Sequence, residues 1–245
     1  MNTKSERQQA VIRLLTIHGS LSTNELACSL RVSQETIRRD LSYLQQQGLV
    51  SRQYGCAQLV QQTATDNGES FYSRLRSHFA SKADIARHAL HWIEKDMVIA
   101  LDASSTCWYL AKQLPDMDIT IYTNSLRVCH EIAKRHRITL ICTGGTLLRK
   151  YECYVNPNLL IQLRKIDIDL FIFSCAAIDP EGKLYDSNIY NAEFKSLLLK
   201  KANQTLLLTD KSKFNRSREI EIGHLDEITH IVSDLDTDTI EQLIQ

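Results

Sequence analysis

The sequence predicts a two-domain α/β protein, with an N-terminal winged helix-turn-helix followed by a C-terminal, mostly parallel α/β domain. Two observations predict this fold class. Within the first 60 residues apolar side chains recur at helical spacing, and after residue 78 short apolar runs alternate with helical stretches. We place the two domains at residues 1–60 and 79–245, joined by a linker at residues 61–78 that begins with the polar run QQTATDNGES, residues 61–70.

The composition is that of a globular protein. Of the 245 residues 43% are hydrophobic and 24% are charged. No apolar run reaches the roughly 18 residues that span a bilayer, and the start MNTKSERQQA does not resemble a signal peptide, so we expect a cytoplasmic protein without membrane contact. The seven cysteines form no C-x-x-C pair and have no histidine at zinc-ligand spacing. We therefore expect reduced, mostly structural thiols, with no metal and no other cofactor.

Charge is distributed unevenly between the two domains. Residues 1–60 hold seven Lys or Arg residues against four Asp or Glu residues, a net charge of +3 within a chain whose formal net charge is zero. An excess this small does not by itself indicate a nucleic-acid partner, because phosphate contacts depend on where charges lie on the folded surface.

The first 30 residues predict two short helices. Apolar residues recur at helical spacing over residues 7–17, and Gly19 ends that helix. Ser22 is followed three residues later by Glu25, which is the signature of a capping box, so the second helix begins at Ser22 and ends near Leu30.

A third helix follows, and Ser33 is placed to cap it. Ile37, Leu41 and Leu44 lie in one narrow stripe, which must pack against the first two helices. The polar residues then face outward; they are Gln34, Glu35, Thr36, Arg38, Arg39, Ser42 and Gln46. The run LVSRQYGCAQLV reads as two strands around a Tyr54-Gly55 turn, which would form a wing carrying Arg52.

Three helices and a hairpin in this order indicate a DNA-binding head, although the same spacing also fits a packing unit whose arginines are merely solvated. The pattern V-S-x-x-T-I-R-R-D-L-x-x-L resembles the N-terminal signature of the DeoR-type bacterial transcription regulators. The resemblance implies double-stranded operator DNA as a partner and Asp40 as a residue that orients an arginine. The implied DNA-binding residues are Ser22, Thr23, Ser33, Gln34, Thr36, Arg38, Arg39 and Arg52.

The second domain alternates the runs MVIAL, ITIYT, ITLIC, IDLFIFS, QTLLLT and HIVS with helical stretches, which predicts a parallel sheet with helices on both faces. Ligands of such sheets bind outside the carboxyl ends of the strands. Polar loops follow four runs there. Each alone is better explained as a cap, a turn or a solvated lysine, but four of them at one sheet edge suggest a phosphorylated small molecule as the ligand. The candidate effector-binding residues are Asp102, Ser104, Ser105, Thr106, Thr123, Asn124, Ser125, Gly144, Gly145 and Lys213.

The same loops, together with Asp169, resemble the DeoR sensor domain, which is related in fold to ribose-5-phosphate isomerase and binds sugar phosphates. Ser104 departs from the glycine that family members commonly have there. Within the family, LDASSTCWYLA and LTDKSKFNRS look most like regulators that activate L-fucose catabolic genes. That likeness implies L-fuculose 1-phosphate as the effector.

The leading hypothesis is therefore a ligand-switched regulator that binds DNA as a homo-oligomer, with RNA polymerase as a further candidate partner. A repressor that responds to another sugar phosphate is the alternative. A sugar-phosphate isomerase or deaminase would need a general base, for which Asp102, Asp169, Asp179 and Asp186 are available, but we assign no catalytic residue. An interaction module is less well supported, because Arg38 and Arg39 stand where exposed aromatic anchors would be expected.

Overall fold

The computed structural model describes residues 7, 8, 10–12, 14, 15, 19–46, 50–53, 56–59 and 68–243. The chain divides into two compact units, Met1–Asp66 and Asn67–Gln245. Within the described ranges, none of the helices combines the length and the apolar character that a bilayer-spanning segment requires. The predicted Tyr54-Gly55 turn and residues 61–67 of the predicted linker lie outside the described residues.

The first unit has the predicted winged helix-turn-helix fold. Residues 7, 8, 10–12, 14 and 15 are helical. The elements that follow are β1 (Ser20–Ser22), α1 (Thr23–Leu30), α2 (Gln34–Gln46), β2 (Val50–Gln53) and β3 (Cys56–Leu59). Strands β2 and β3 pair antiparallel from Val50 with Leu59 to Gln53 with Cys56, which confirms the hairpin. Strand β1, which the sequence analysis did not predict, pairs with β3 and completes a three-stranded sheet.

Local capping sets both helix starts in this unit. The Ser22 side chain accepts from the Glu25 backbone, and the Glu25 carboxylate accepts from the Ser22 backbone at 2.7 Å, which is the predicted capping box. The Ser33 hydroxyl accepts from the Thr36 N–H at 3.2 Å. Since both caps are fixed by residues within one turn of the helix, the sequence alone was enough to locate them.

The first unit has its own small apolar core. The stripe on α2 is buried as predicted, and it packs with apolar residues of the first two helical segments and of the hairpin. The members are Val11, Leu15, Leu26, Ala27, Ile37, Leu41, Leu44, Val50 and Ala57. Because α2 buries one face completely, its opposite face is held outward.

The second unit is built on a six-stranded parallel sheet, and all six predicted runs are strands of it. They are β4 (Val98–Leu101), β5 (Ile119–Thr123), β6 (Ile138–Cys142), β9 (Leu170–Phe173), β12 (Gln204–Thr209) and β14 (His230–Ser233). Their order across the sheet is β14-β12-β9-β4-β5-β6. The chain proceeds from β4 to β5 and β6 on one side and then returns to β9 on the other, so the strand order reverses between β4 and β9.

Helices cover both faces of this sheet. They are α3 (Phe71–Arg76), α4 (Phe79–Ala89), α5 (Ser105–Gln113), α6 (Leu126–Ile132), α7 (Leu159–Leu163), α8 (Ile189–Lys201) and α9 (Thr237–Leu243). Side chains alternate along the strands, with Ile99 and Leu101 in one apolar cluster and Ala100 in the other. The first cluster includes residues of α4, α5 and α6, and the second includes residues of α7, α8 and α9.

Two small antiparallel elements lie beside the main sheet and were not predicted. Strands β7 (Thr146–Leu148) and β8 (Cys153–Val155) form a hairpin, and β10 (Ala177–Ile178), β11 (Lys183–Asp186) and β13 (Ile220–His224) form a three-stranded sheet. Helix α3 lies within the segment that the sequence analysis assigns to the linker. The exact domain boundaries stay a prediction.

Candidate functional site

Helix α2 presents a polar surface, which we call the recognition face; its exposed members are Gln34, Glu35, Arg38, Arg39 and Ser42. Glu35 pairs with Arg38 at 3.7 Å and with Arg39 at 3.3 Å. The Arg39 side chain is 80% exposed, and ion pairs this exposed contribute little to stability. Both guanidinium groups can therefore leave Glu35 for a phosphate at small cost.

Asp40 lies on the opposite side of α2 and is buried. Its carboxylate accepts from Arg7 Nε at 2.5 Å and from Gln8 Nε2 at 3.3 Å, and the hydrogen bond to Asp40 raises the pKa of Arg7. The expectation that Asp40 orients an arginine is confirmed. The arginine belongs to the first helical segment, so the pair fixes the position of α2 against that segment.

The remaining predicted DNA contacts lie at the starts of α1 and α2. Ser22 caps α1 and Thr23 is its first residue, while Ser33 caps α2 and its hydroxyl lies 2.9 Å from that of Thr36. Gln34 donates to Asn24 Oδ1 at 3.0 Å and so joins the two helices. The Arg52 backbone lies in β2, but its side chain and that of Gln46 lie outside the described side chains.

In the second unit a buried ion cluster occupies the point where the strand order reverses, and we call it the switch-point cluster: Lys195, Asp102 and Asp186. Lys195 Nζ lies 3.0 Å from Asp102 Oδ2, contacts Asp186 Oδ2, and donates to the Ser174 carbonyl at 2.6 Å. The contacts with Asp186 and with the Ser174 carbonyl are hydrogen bonds, and the contact with Asp102 is an ion pair. Asp102 follows β4 and Ser174 follows β9, so Lys195 joins the two strand ends between which the order reverses.

Electrostatics keep Asp102 and Lys195 of the switch-point cluster charged. Burial opposes ionisation of Asp102, but Lys195 and hydrogen bonds from Ser104 outweigh it and lower the pKa of Asp102. Burial likewise opposes the charge on Lys195, and the two carboxylates outweigh it and raise its pKa. Asp102 Oδ1 accepts from the Ser104 N–H at 3.0 Å, and Oδ2 accepts from the Ser174 N–H at 3.3 Å. Asp102 therefore holds the loops in place.

The predicted effector-binding loops meet at this carboxyl edge of the sheet. Ser104 caps α5 and Ser125 caps α6. Ser105 Oγ donates to the Arg74 carbonyl at 3.3 Å, and Thr123 Oγ1 donates to the Leu101 carbonyl at 2.7 Å. Thr106 is buried in the first turn of α5.

The loops after β6 and β12 complete the edge. Gly145 has φ +103°, and any side chain there would collide with the Val155 carbonyl, so the loop requires glycine. Gly144 also has positive φ, and its N–H donates to Cys142 Sγ at 3.5 Å. Lys213 ends a short 3₁₀ helix capped by Asp210 and is half-buried.

Residues 68–77, which include α3, lie against this edge, and we call them the strap. The Phe71 side chain is buried, and its N–H donates to the Lys150 carbonyl at 2.9 Å. Arg74 Nη2 donates to the Ala103 carbonyl at 3.5 Å, directly after β4. Tyr109 on α5 donates from its hydroxyl to the Leu75 carbonyl at 3.1 Å.

Three cationic residues at this edge were missed by the sequence analysis: Arg74, Lys82 and Lys195. Lys82 is buried, and its ammonium donates to the carbonyls of Arg74 at 2.6 Å and Ser77 at 2.8 Å. Lys82 and Lys195 lie on otherwise buried helix faces, at positions three residues from Ile85 and from Ala192. A lysine on an apolar stripe was the available signal for both, whereas nothing in the sequence singled out Arg74.

The cations differ in how their charge is compensated. Burial, followed by repulsion from Lys213, lowers the pKa of Lys82 to about 8, and attraction from Asp210 only partly offsets this. Three polar atoms at the edge, Asn124 Oδ1, Arg74 Nε and Thr209 Oγ1, are buried and have no hydrogen-bond partner among the described residues. Asn124 itself is 2% exposed, and its Nδ2 donates to Asn191 Oδ1 at 3.3 Å. The edge thus offers an unused acceptor and an unused cationic donor.

Two of the carboxylates considered as general bases lie elsewhere. Asp169 precedes β9 and accepts from the Val98 N–H at 2.8 Å, at the amino edge of the sheet, where it also lines an open cleft of about 370 Å³. Asp179 accepts from the Tyr185 hydroxyl at 2.7 Å beside the three-stranded sheet. Asp102 and Asp186 are both committed to Lys195.

Comparison with known proteins gives consistent matches. The DeoR-like helix-turn-helix domain matches residues 7–63, and the DeoR C-terminal sensor domain matches residues 77–235. The chain is 62% identical to the L-fucose operon activator of Escherichia coli K12 over 231 residues, which cover 94% of this chain and 95% of that protein. It is 35% identical to the L-fucose operon activator of Haemophilus influenzae over 228 residues, covering 93% and 91%.

Among solved structures, ribose 5-phosphate isomerase A from Methanocaldococcus jannaschii is similar with a TM-score of 0.43 at 17% identity, covering 56% of this chain and 55% of that chain.

Replacing Lys195 by Met should destabilise the second unit by about 3–5 kcal/mol, because it leaves two buried carboxylates without a cation. In the wild type the pKa of Asp102 is lower in the folded protein than its ordinary value of 3.8. This difference stabilises the folded state at pH values above 3.8, and the stabilisation is lost as the pH falls through the folded pKa. In the variant the sign reverses, since a protonated carboxyl is easier to bury, and stability should rise as pH falls toward 5.

Urea unfolding followed by tryptophan fluorescence measures this, because Trp92 and Trp108 both lie in the second unit. Lys200→Met, at an exposed position on the same helix, is the matched control and should change little. Equal stability of the two variants at pH 7 would show that the switch-point cluster is not a stabilising element.

Proposed function

The chain belongs to the DeoR family of helix-turn-helix transcription regulators, and from this premise we propose that it activates L-fucose catabolic genes with L-fuculose 1-phosphate as its effector. The single observation that supports a regulator best is the pairing of an outward polar helix face in one unit with a polar, cation-bearing sheet edge in the other. The printed names of two relatives, both L-fucose operon activators, supply the sugar.

The recognition face is the proposed contact with operator DNA. Gln34, Arg38 and Arg39 carry donors suited to base edges and phosphates in a major groove, and their present partners are exposed and weak. Ser22, Thr23, Ser33 and Thr36 lie at helix starts, where small hydroxyl side chains contact phosphate oxygens. Arg52 would contact the duplex from the wing.

The carboxyl edge of the sheet is the proposed effector site. A sugar phosphate has an anion and several hydroxyl groups, which match a cationic edge with an unused acceptor in Asn124 Oδ1. The N-terminus of α5, with Ser104 and Ser105, adds positive partial charge at the same place. Asp102 acts in this proposal as a support for the loop, because both of its oxygens already accept hydrogen bonds.

The regulator is proposed to act in the cytoplasm as a homo-oligomer. One winged helix offers a small contact, and two or more heads on repeated half-sites would raise both affinity and specificity. RNA polymerase is the further partner that activation requires.

Catalysis by the second unit has weaker support. An isomerase or deaminase needs a general base whose pKa lies near the working pH, whereas Lys195 lowers the pKa of Asp102 and so makes it a weak base, and Asp169 lies at the amino edge. Turnover of L-fuculose 1-phosphate by the purified protein would contradict this assignment.

The proposal is tested by footprinting the full-length protein on the promoter DNA of neighbouring fucose genes. We expect a protected site whose occupancy, or the transcription that starts beside it, changes with L-fuculose 1-phosphate and not with unphosphorylated L-fuculose. L-rhamnulose 1-phosphate, which differs in sugar stereochemistry, is the matched control. A response to the control alone would support the alternative of a regulator for another sugar phosphate, and a protein that protects no site would exclude the proposal.

Replacing Arg39 by Ala should weaken binding to operator and random DNA alike, because a lost phosphate contact carries no sequence information. The slope of log affinity against log salt should fall by about one unit. Fluorescence anisotropy across a salt series measures both quantities. Arg218→Ala removes an exposed arginine from the second unit as the control, and an equal effect of the two substitutions would refute the assignment of the docking face.

Effector affinity should fall as pH rises through about 8, where Lys82 loses its proton. The charged form of Lys82 is repelled by Lys213 and Arg74 and attracted by Asp210 and Glu69. A bound phosphate would add a further attraction and favour the charged form. The phosphate stays dianionic above about pH 7, so the decline, up to about tenfold per pH unit, reports the lysine.

Calorimetric titration with L-fuculose 1-phosphate from pH 7 to 9.5 measures this decline. Lys82→Arg keeps the charge throughout this range and should flatten the profile. A wild-type profile that is already flat would contradict the role of Lys82.

A further inference from the structure

We propose that Arg74, on the strap, is a ligand of the effector's phosphate, and that the strap is thereby the segment whose order depends on effector binding. The inference rests on the proposed function, since it names a residue and a structural response of the same site. Neither matched family domain includes the strap helix α3, because the two matches end at residue 63 and begin at residue 77.

Arg74 lies against the segment that joins β4 to α5. Its Nη2 donates to the Ala103 carbonyl, and its own carbonyl accepts from Ser105 Oγ at 3.3 Å, so the residue contacts the β4–α5 loop on both sides. That loop holds the N-terminus of a nine-residue helix capped by Ser104. The guanidinium therefore lies beside the start of α5, where the helix dipole favours an anion.

The Arg74 guanidinium has an unused hydrogen-bond donor. Arg74 Nε is buried without a hydrogen-bond partner, and no carboxylate of the described residues lies within 4.0 Å of the guanidinium. The nearby acids Asp102 and Asp186 are both paired with Lys195, which balances one of their two negative charges, and they attract Arg74 only from beyond ion-pair distance. A buried charged donor left in this state is costly, and an anion with two acceptor oxygens would satisfy it. The planar fork of arginine matches phosphate in this way.

The strap is attached to the rest of the second unit near both ends of α3. Helix α3 is held at its first residue by the bond from Phe71 to the Lys150 carbonyl and at its last turn by Lys82, which donates to the carbonyls of Arg74 and Ser77. A phosphate bound by Arg74 would add a bond in the middle of this short helix. Six residues cannot form a stable helix alone, so each added contact shifts the helix toward its docked state.

The strap is also the first described segment after the polar residues that lead from the DNA-binding head. A change in its order at effector binding would therefore occur at the start of the second unit, next in the sequence to those polar residues. The size of the regulatory effect is bounded by the difference in effector affinity between the docked and undocked strap.

The test is calorimetric titration of the full-length protein with L-fuculose 1-phosphate, comparing the wild type, Arg74→Gln and Arg76→Gln. Arg76 lies on the same helix, is exposed, and serves as the matched control. We expect Arg74→Gln to weaken binding about tenfold to a hundredfold, as the loss of charge-assisted hydrogen bonds does, and Arg76→Gln to leave binding within about twofold. Equal affinities for the wild type and Arg74→Gln would overturn the role of Arg74 alone.

Hydrogen–deuterium exchange on the wild type tests the strap without any substitution. Amides of residues 71–82 should exchange more slowly when L-fuculose 1-phosphate is present, and L-fuculose without phosphate should not have this effect. Unchanged exchange in the presence of a bound effector would overturn the inference, including in the case where Arg74→Gln does not fold. Absence of any binding by the wild type would instead reject the proposed effector, and the inference with it.

Discussion

The structure of the second unit depends on one buried lysine. Lys195 reaches from α8 to Asp102 after β4, to the Ser174 carbonyl after β9 and to Asp186 at the end of β11. Two carboxylates buried together would repel each other, and a buried ammonium alone would be costly, so the three groups are acceptable only as a set. Because the three charged groups must stay together, they fix the positions of the loops that follow β4 and β9, where the strand order reverses.

The consequence reaches beyond the ion cluster, because the same helix carries Asn191 one turn before Lys195. Asn191 accepts from Asn124 beside the end of β5, so α8 aligns the loops of three neighbouring strands with two side chains. The sheet edge is then preorganised before any ligand arrives, which reduces the conformational entropy that binding would lose. Arg74 and Asn124 keep unused hydrogen-bonding atoms in this rigid frame.

The first unit is also held together by an apolar core and an ion pair. Its core is a small set of apolar side chains, and one partly buried pair, Arg7 with Asp40, joins the first helical segment to α2. Since one face of α2 is committed to the core and to Asp40, the opposite face is available for a partner. The two units thus separate a surface suited to recognition of DNA from a site suited to a small anion, and the strap lies at the start of the second unit.

The sequence by itself determined the elements whose causes are local or periodic. The capping residues Ser22 and Ser33, the stripe on α2 and all six strands of the parallel sheet were predicted, because a cap acts within one turn and an apolar period reports burial directly. Only the tertiary structure decided which charges meet. Lys195 and Asp102 are 93 positions apart, and the strap helix, Phe71–Arg76, is only six residues long, which is too short for an apolar period to identify it. A bond between distant residues depends on how strands and helices stack, and that order is not written in any short stretch of chain.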